Sequence, residues 1–138
     1  MKRRMIEYYM DVARRTSQLS YAEKLKVGAI LVKDDKIVSI GYNGSPSGWS
    51  NELEYVLEDG SLKTKSEVIH AEQNCLYKLA KSNESGNGAY MFITHSPCIE
   101  CSKGIYASGI KSVYYKDEYR CNKGILFLEK CGIKVYKL

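Results

Sequence analysis

The chain predicts an α/β domain built on a mixed five-stranded sheet, and three observations point there. Two β-branched runs, Val27–Val32 and Ile37–Ile40, flank the polar stretch Lys33-Asp34-Asp35-Lys36 and read as an antiparallel hairpin. In the second half, apolar strand-like runs alternate with helical segments, which requires right-handed crossovers and a parallel portion of sheet. At 138 residues the chain has the length of one ordinary domain, so residues 1–138 are read as a single unit.

Met5, Tyr8, Tyr9 and Val12 recur at helical spacing and predict an amphipathic first helix that fades near Thr16-Ser17. The hairpin follows. Between Asn43 and Ser66 lie Gly44, Pro46, Gly48, Asn51 and Gly60 with no clear period, and so long an irregular segment inside a compact domain points to function. Val68 to about Lys81 reads as a helix closed by Ser85-Gly86-Asn87-Gly88. Tyr90–Thr94 reads as a strand running into Ser96-Pro97, where a helix carrying Cys98 and Cys101 begins and then stops at Gly109. A strand at Ser112–Tyr115, a helix over roughly Asn122 to Lys130 capped by Gly132, and a last strand Ile133–Tyr136 complete the order α-β-β-α-β-α-β-α-β.

An apolar fraction of 44% and a charged fraction of 27% are those of a water-soluble globular chain, and no apolar run reaches membrane-spanning length. Glu7 and Asp11 interrupt what would have to be the apolar core of a signal peptide. Five cysteines, two of them in a C-x-x-C, fit a reducing compartment and metal ligation better than a disulfide framework, so the cytoplasm is expected. The net charge of +5 is scattered rather than gathered into a stripe, and free nucleotides satisfy it as well as RNA does.

Two clusters carry the chemistry: His70-Ala71-Glu72, and Pro97-Cys98-Ile99-Glu100-Cys101. One imidazole and two thiols form a soft ligand set suited to Zn²⁺, and three protein ligands leave the fourth tetrahedral position for water. Cys98 and Cys101, at i and i+3 of a first helical turn, bring their Cβ atoms to about 5–6 Å, close enough to grip one ion off the helix end. At such an end the dipole favours thiolates. His70 and Glu72 would point about 200° apart around an ideal helix, so they share an end of it and not a lateral face. Bound zinc lowers the pKa of water toward about 7. Glu72 would take that proton and hand it on to a reacting group. The structural alternative is a fourth ligand that closes the site, with Cys75, Cys121 or Cys131 as candidates. Glu72 favours catalysis over a staple. The second histidine, His95, reads as a polar loop residue at a strand end, the alternative being that it touches substrate.

These clusters resemble the signature of the cytidine deaminase-like superfamily, which includes tRNA adenosine deaminases and riboflavin-pathway deaminases. More specifically, Val27-Gly28-Ala29 and Gly41-Tyr42-Asn43-Gly44-Ser45-Pro46-Ser47-Gly48 resemble segments of deoxycytidylate deaminases of the regulated phage and eukaryotic type. The likeness continues through Ser96-Pro97, Ser108-Gly109-Ile110, Tyr119 and Cys131–Val135. It implies a three-layer α-β-α sandwich and hydrolysis of dCMP to dUMP and ammonia, supplying dUMP for thymidylate synthesis. By the same resemblance His70, Cys98 and Cys101 hold one catalytic Zn²⁺ and Glu72 is the proton shuttle. Asn43 contacts the deoxyribose, backbone at Ala71 and Ser96 holds the base, and Tyr119 lines the pocket. The family also implies a homo-oligomer, with a hexamer favoured, in which dCTP activates and dTTP inhibits with Mg²⁺ on the triphosphate. Tyr42, Asn43, Gly44 and Trp49 are the candidate effector residues. No nucleic-acid or membrane partner is expected, and a phage-encoded chain would work in the host cytoplasm.

The sequence departs from some phage relatives in having no Cys or His before His70, so a second zinc is not expected. Two other functions stay open at this point. One is a tRNA-editing adenosine deaminase, whose helical C-terminal extension the apparent strand Ile133–Tyr136 does not match. The other is a non-catalytic zinc- or nucleotide-binding regulatory module, for which a retained Glu72 would have little use.

Overall fold

A computed structural model describes residues 1–138. Helix α1 (Arg3–Ser17) precedes strands β1 (Gly28–Lys33) and β2 (Lys36–Tyr42), which form the expected hairpin. Asp34 and Asp35 turn it with φ of 52° and 58°, the left-handed pair that a two-residue connection needs and that Asp tolerates. Next come β3 (Glu54–Val56), β4 (Leu62–Thr64), α2 (Ala71–Ala80), β5 (Tyr90–His95), α3 (Ile99–Ala107), β6 (Ser112–Asp117), α4 (Lys123–Lys130) and β7 (Lys134–Lys137).

The main sheet has the order β2-β1-β5-β6-β7. Strand β1 is antiparallel to both neighbours, whereas β5, β6 and β7 run parallel, so the sheet is mixed. One layer of core joins α1 to the sheet through Tyr9, Met10 and Ala13 packed on Ile30, Phe92 and Tyr114. Phe92, Tyr114 and Tyr136 stack across the three parallel strands at 4.7 and 4.8 Å between centroids, which ties their register together on that face. The opposite layer buries Cys75 and Leu79 of α2, Ile105 of α3 and Leu128 of α4 against Leu31, Met91, Ile93 and Val113. The result is the three-layer α-β-α sandwich.

Two strand glycines set how close the helices lie. A Cβ on Gly28 would collide with the backbone of α1 at Ala13 and Ser17, and one on Gly41 with the backbone of α2 at Ala71 and Cys75. Both helices therefore rest directly on the sheet.

Three readings are corrected. The segment Asn43 to Ser66 is not wholly irregular, because β3 and β4 pair as a short hairpin. Asp59-Gly60 makes its turn, with Gly60 at φ +83° and the Ser61 amide donating to Asp59 Oδ1 at 2.9 Å. Tyr8 does not face the core but is 53% exposed, and the buried stripe of α1 is Tyr9, Met10, Ala13, Thr16 and Ser17. Helix α2 begins at Ala71 and not near Val68, and α3 begins at Ile99, so His70 and Cys98 are cap residues outside the first turns. No helix is long and apolar enough to cross a membrane.

Candidate active site

The two parallel-strand crossovers on either side of β5 bring the N-termini of α2 and α3 together, at the carboxyl end of β5. His70 caps α2 in extended backbone geometry, and its amide donates to Gln73 Oε1 at 3.1 Å. Just before it, Ile69 exchanges two backbone hydrogen bonds with Gly44, at 2.8 and 3.1 Å, which pins the approach to the helix. Cys98 caps α3, and its sulfur accepts the Cys101 amide at 3.5 Å. A thiolate there receives both the N–H and the positive end of the helix dipole.

His70 Nδ1 lies 3.3 Å from Cys101 Sγ and 3.7 Å from Cys98 Sγ, and the three ligand atoms all fall within 4.8 Å of one another. Zn–N and Zn–S bonds of about 2.0 and 2.3 Å in a tetrahedron put their donors roughly 3.5–3.8 Å apart, so the spacing fits one zinc ion. Only these three residues make the cluster. Cys75 is instead wholly buried in the core, and Cys121 and Cys131 are exposed free thiols, so none of the three supplies a fourth ligand.

Charge at the cluster is unevenly held. Cys98 is pushed down to about 4, chiefly by hydrogen bonding from Cys101 and then from His70. Cys101 is pushed up, first because its thiol is the donor to Cys98 and then by burial. His70 is raised by its bond to Cys98. Glu72, only 5% exposed, is raised to about 7 by burial. A carboxyl group poised there exchanges protons readily at neutral pH.

A cavity of about 140 Å³ opens over this cluster. His70, Ala71, Glu72, Ser96 and Cys98 line it, together with Asn43, Tyr119, residues of the 22–27 loop, Leu53 and Glu54. Ser96 Oγ accepts the Tyr119 amide at 2.6 Å, and the Ser96 amide donates to Asp117 O at 2.9 Å, so the two loops that carry these residues are locked together.

The family profile of the cytidine and deoxycytidylate deaminase zinc-binding region matches residues 3–117. The chain belongs to this family. Deoxycytidylate deaminase of Enterobacteria phage T4 is 32% identical over 94% of this chain and 87% of its own length. That of Mycobacterium phage D29 is 37% identical over 81% and 94%. Among solved structures, dCMP deaminase of the cyanophage S-TIM5 in complex with dCMP and dUMP is 50% identical and superimposes with a TM-score of 0.93, covering 100% of this chain and 99% of its own.

Within this deaminase frame Asn43 holds an unexpected post. Its Oδ1 accepts the Val27 amide at 2.9 Å and its Nδ2 donates to Leu25 O at 2.8 Å, so the side chain latches the 22–27 loop. The remaining effector candidates, Tyr42, Gly44 and Trp49, line a second cavity of about 660 Å³ that Asn43 and Leu53 share with the first. Asn74, Tyr77 and Lys78 of α2 and its C-terminal cap Lys81 also line it, and the Lys78 ammonium sits 5.5 Å from the centre of the Tyr42 ring.

His95 is corrected: it is the last residue of β5 and lines the catalytic cavity. Its Nδ1 lies 2.9 Å from Thr94 Oγ1, and its Nε2 lies 3.9 Å from Asp117 on the neighbouring strand. Burial lowers its pKa, against the smaller opposite pull of Asp117. Its place next to Ser96-Pro97-Cys98 was the available signal.

Proposed function

We propose that this chain is a zinc-dependent dCMP deaminase that converts dCMP to dUMP and ammonia. The observation that carries the reading is Glu72: a buried carboxyl group, raised by burial to about 7 in the metal-free protein, beside a three-ligand cluster of zinc dimensions in the lining of one cavity. The half-identical cyanophage enzyme, whose structure holds dCMP and dUMP, supports the choice of substrate.

His70, Cys98 and Cys101 would hold the ion, which supplies a water activated near neutral pH when bound. Glu72 would give a proton to ring N3, which makes C4 electrophilic. As water oxygen bonds to C4, Glu72 would carry the second proton of that water from the new C4 hydroxyl to N4, so that C4=O forms, the C4–N4 bond breaks and the amine departs as ammonia. Ala71, first residue of α2, presents an amide without an intrahelical partner, and the Ser96 carbonyl takes part in no backbone hydrogen bond. Together they offer a donor and an acceptor for the edge of the base. Tyr119 covers the pocket, and Asn43 keeps one Oδ1 lone pair and one Nδ2 hydrogen for a sugar hydroxyl.

The second cavity supports regulation by deoxynucleoside triphosphates. Lys78 and Lys81 present positive charge to a triphosphate, and Tyr42 and Trp49 offer aromatic faces to a base. In this reading dCTP activates and dTTP inhibits, each with Mg²⁺ on its phosphates, in a hexamer whose dUMP feeds thymidylate synthesis.

Ammonia release from dCMP, cytidine, dCTP and a tRNA anticodon stem tests the substrate assignment. Turnover confined to dCMP is expected. Preference for the anticodon stem would instead make the chain a tRNA deaminase. Rate curves against dCMP with and without each triphosphate test the regulation, and hyperbolae unchanged by both would remove it.

A further inference from the structure

Positive charge that is scattered along the sequence is gathered by the fold on one side of the sheet. Helices α2, α3 and α4 cover the opposite face, whereas on this side α1 alone packs over β1, β2 and β5 and only grazes β6. Strand β7 rests on β6 and α4 and forms the edge of the sheet. Side chains that alternate to the α1 side of β6 and β7 therefore have little helix above them. They are Ser112, Tyr114 and Lys116 on one strand and Lys134 and Tyr136 on the other, so every charge that these strands turn to this face is a lysine. The Lys111 ammonium adds to them, 5.8 Å from the centre of the Tyr90 ring. The neighbouring acids are already engaged or remote. Glu7 and Asp11 of α1 pair with Arg3 and Arg14 of the same helix at 3.1 and 3.6 Å, and Glu118 pairs with Lys137 at 3.5 Å. Asp34 and Asp35 lie on the β1–β2 turn, at the far side of the sheet from β7.

The same face carries an aromatic row that is open at one end. Phe92, Tyr114 and Tyr136 follow one another at 4.7 and 4.8 Å with their planes inclined by 7° and 24°, so the rings repeat at the spacing of the strands. Tyr9 of α1 closes the row at Phe92, 5.4 Å away. At the sheet edge the row stops at Tyr136, which is 40% exposed and has Tyr114 as its one ring partner. A flat ring laid on its outer face continues the stack by one step. Lys134 and Lys137 on this edge discourage the addition of a β-strand. A second copy is also a poor occupant, because an isologous contact would set these lysines against their own images. A planar base joined to phosphates meets both the open ring and the charge. One stacked base holds weakly, whereas a run of nucleotides brings a phosphate to each lysine.

We propose that the open face of β6 and β7 binds single-stranded nucleic acid, with a base stacked on Tyr136 and phosphates on Lys116 and Lys134. None of these three residues lines either cavity, so the surface is separate from catalysis and does not depend on dCMP being the substrate.

The test uses a fluorescein-labelled oligodeoxythymidylate, whose base has no amino group to lose, and reads its anisotropy at low salt with the zinc-loaded full chain. Binding should persist in excess dCMP and in excess dTTP with Mg²⁺, and log affinity should fall linearly with log salt. Lys116→Glu combined with Lys134→Glu should weaken binding about tenfold or more and lower that slope by about 1 or more. Tyr136→Leu should weaken it about fivefold or more, whereas Tyr136→Phe, which keeps the ring, should stay within about twofold of the parent. Circular dichroism checks that each variant is folded. If Tyr136→Leu is not, the lysine pair, which lies at exposed positions, decides alone. No binding by the parent, parent-like affinity in the lysine variant, or displacement by dCMP or dTTP, which would put the oligonucleotide in one of the cavities, overturns the proposal. So does a change of sedimentation in the lysine variant without oligonucleotide, which would make the face a contact between copies.

Discussion

The two cavities share a wall at Asn43 and Leu53, yet they are made of different material. The catalytic one is floored by two helix caps and a strand end, and it ranges from the exposed His70 to Glu72 at 5% exposure. The other is formed by the Tyr42–Asn51 loop against the outer face of α2, with Trp49 60% and Tyr77 54% exposed. Bond-making chemistry occupies the place where the chain has least freedom. The proposed effector regulation places its ligand in the larger, more exposed cavity, and Asn43, which lines both cavities, also holds the 22–27 loop.

The contrast breaks most visibly at Glu72. Glu72→Gln keeps the shape and removes the proton carrier, so kcat should fall by about 10²–10⁴ while zinc content stays at one per chain. Steady-state rates with metal analysis read both, and activity within tenfold of the parent would make Glu72 a bystander.

The same residue makes the metal-free protein sensitive to pH. Its pKa stands at about 7 against an ordinary 4.5, so the folded chain holds a proton that the unfolded chain releases. That contribution is complete below about pH 4.5 and is lost as pH rises through 7, for a total of about 3 kcal/mol. Urea unfolding of metal-free parent and Glu72→Gln at pH 5.5 and 8 should show the variant gaining about 2 kcal/mol relative to the parent at the higher pH, the remainder being already lost by pH 5.5. Equal stability differences at both pH values would refute it.

On the other side of the shared wall, Lys78→Ala combined with Lys81→Ala should erase the effect of triphosphates on dCMP affinity. A coupling of this kind is typically worth about 1–3 kcal/mol, so the loss is legible as a change in the midpoint of the dCMP curve with dCTP or dTTP present. Retention of the full response would move the effector elsewhere. The smallest effect lies behind the metal ligands. Ser102 Oγ is buried with no hydrogen-bond partner, and Ser102→Ala should stabilise the folded protein by about 1 kcal/mol, measured as a rise in Tm.

How much of this was legible in the sequence follows the same division. The metal cluster was readable because cap-and-first-turn geometry is local: the i, i+3 spacing of Cys98 and Cys101 dictates their approach, and the His70-x-Glu72 spacing puts both at one helix end. The Asp34-Asp35 hairpin was readable for the same reason. The β3–β4 hairpin was not, since strands of three residues show no period, although Asp59-Gly60 flanked by Tyr55, Val56 and Leu62 carried a turn signal. The wall position of His95 had a local signal in its place next to Ser96-Pro97-Cys98, whereas the latch made by Asn43 depends on contacts between residues far apart in the chain, which no spacing rule encodes.

Gly41 lies beneath the first turn of α2, on the side of that helix turned away from solvent, and touches no metal ligand. Because Ala71 and Cys75 rest on its bare Cα, the height of the whole helix above the sheet is set there. A methyl group at position 41 would act as a wedge, tilting the cap that carries His70 away from the two thiols on α3. Metal affinity in this chain is thus adjustable from behind, like focus on an instrument whose lens is never touched.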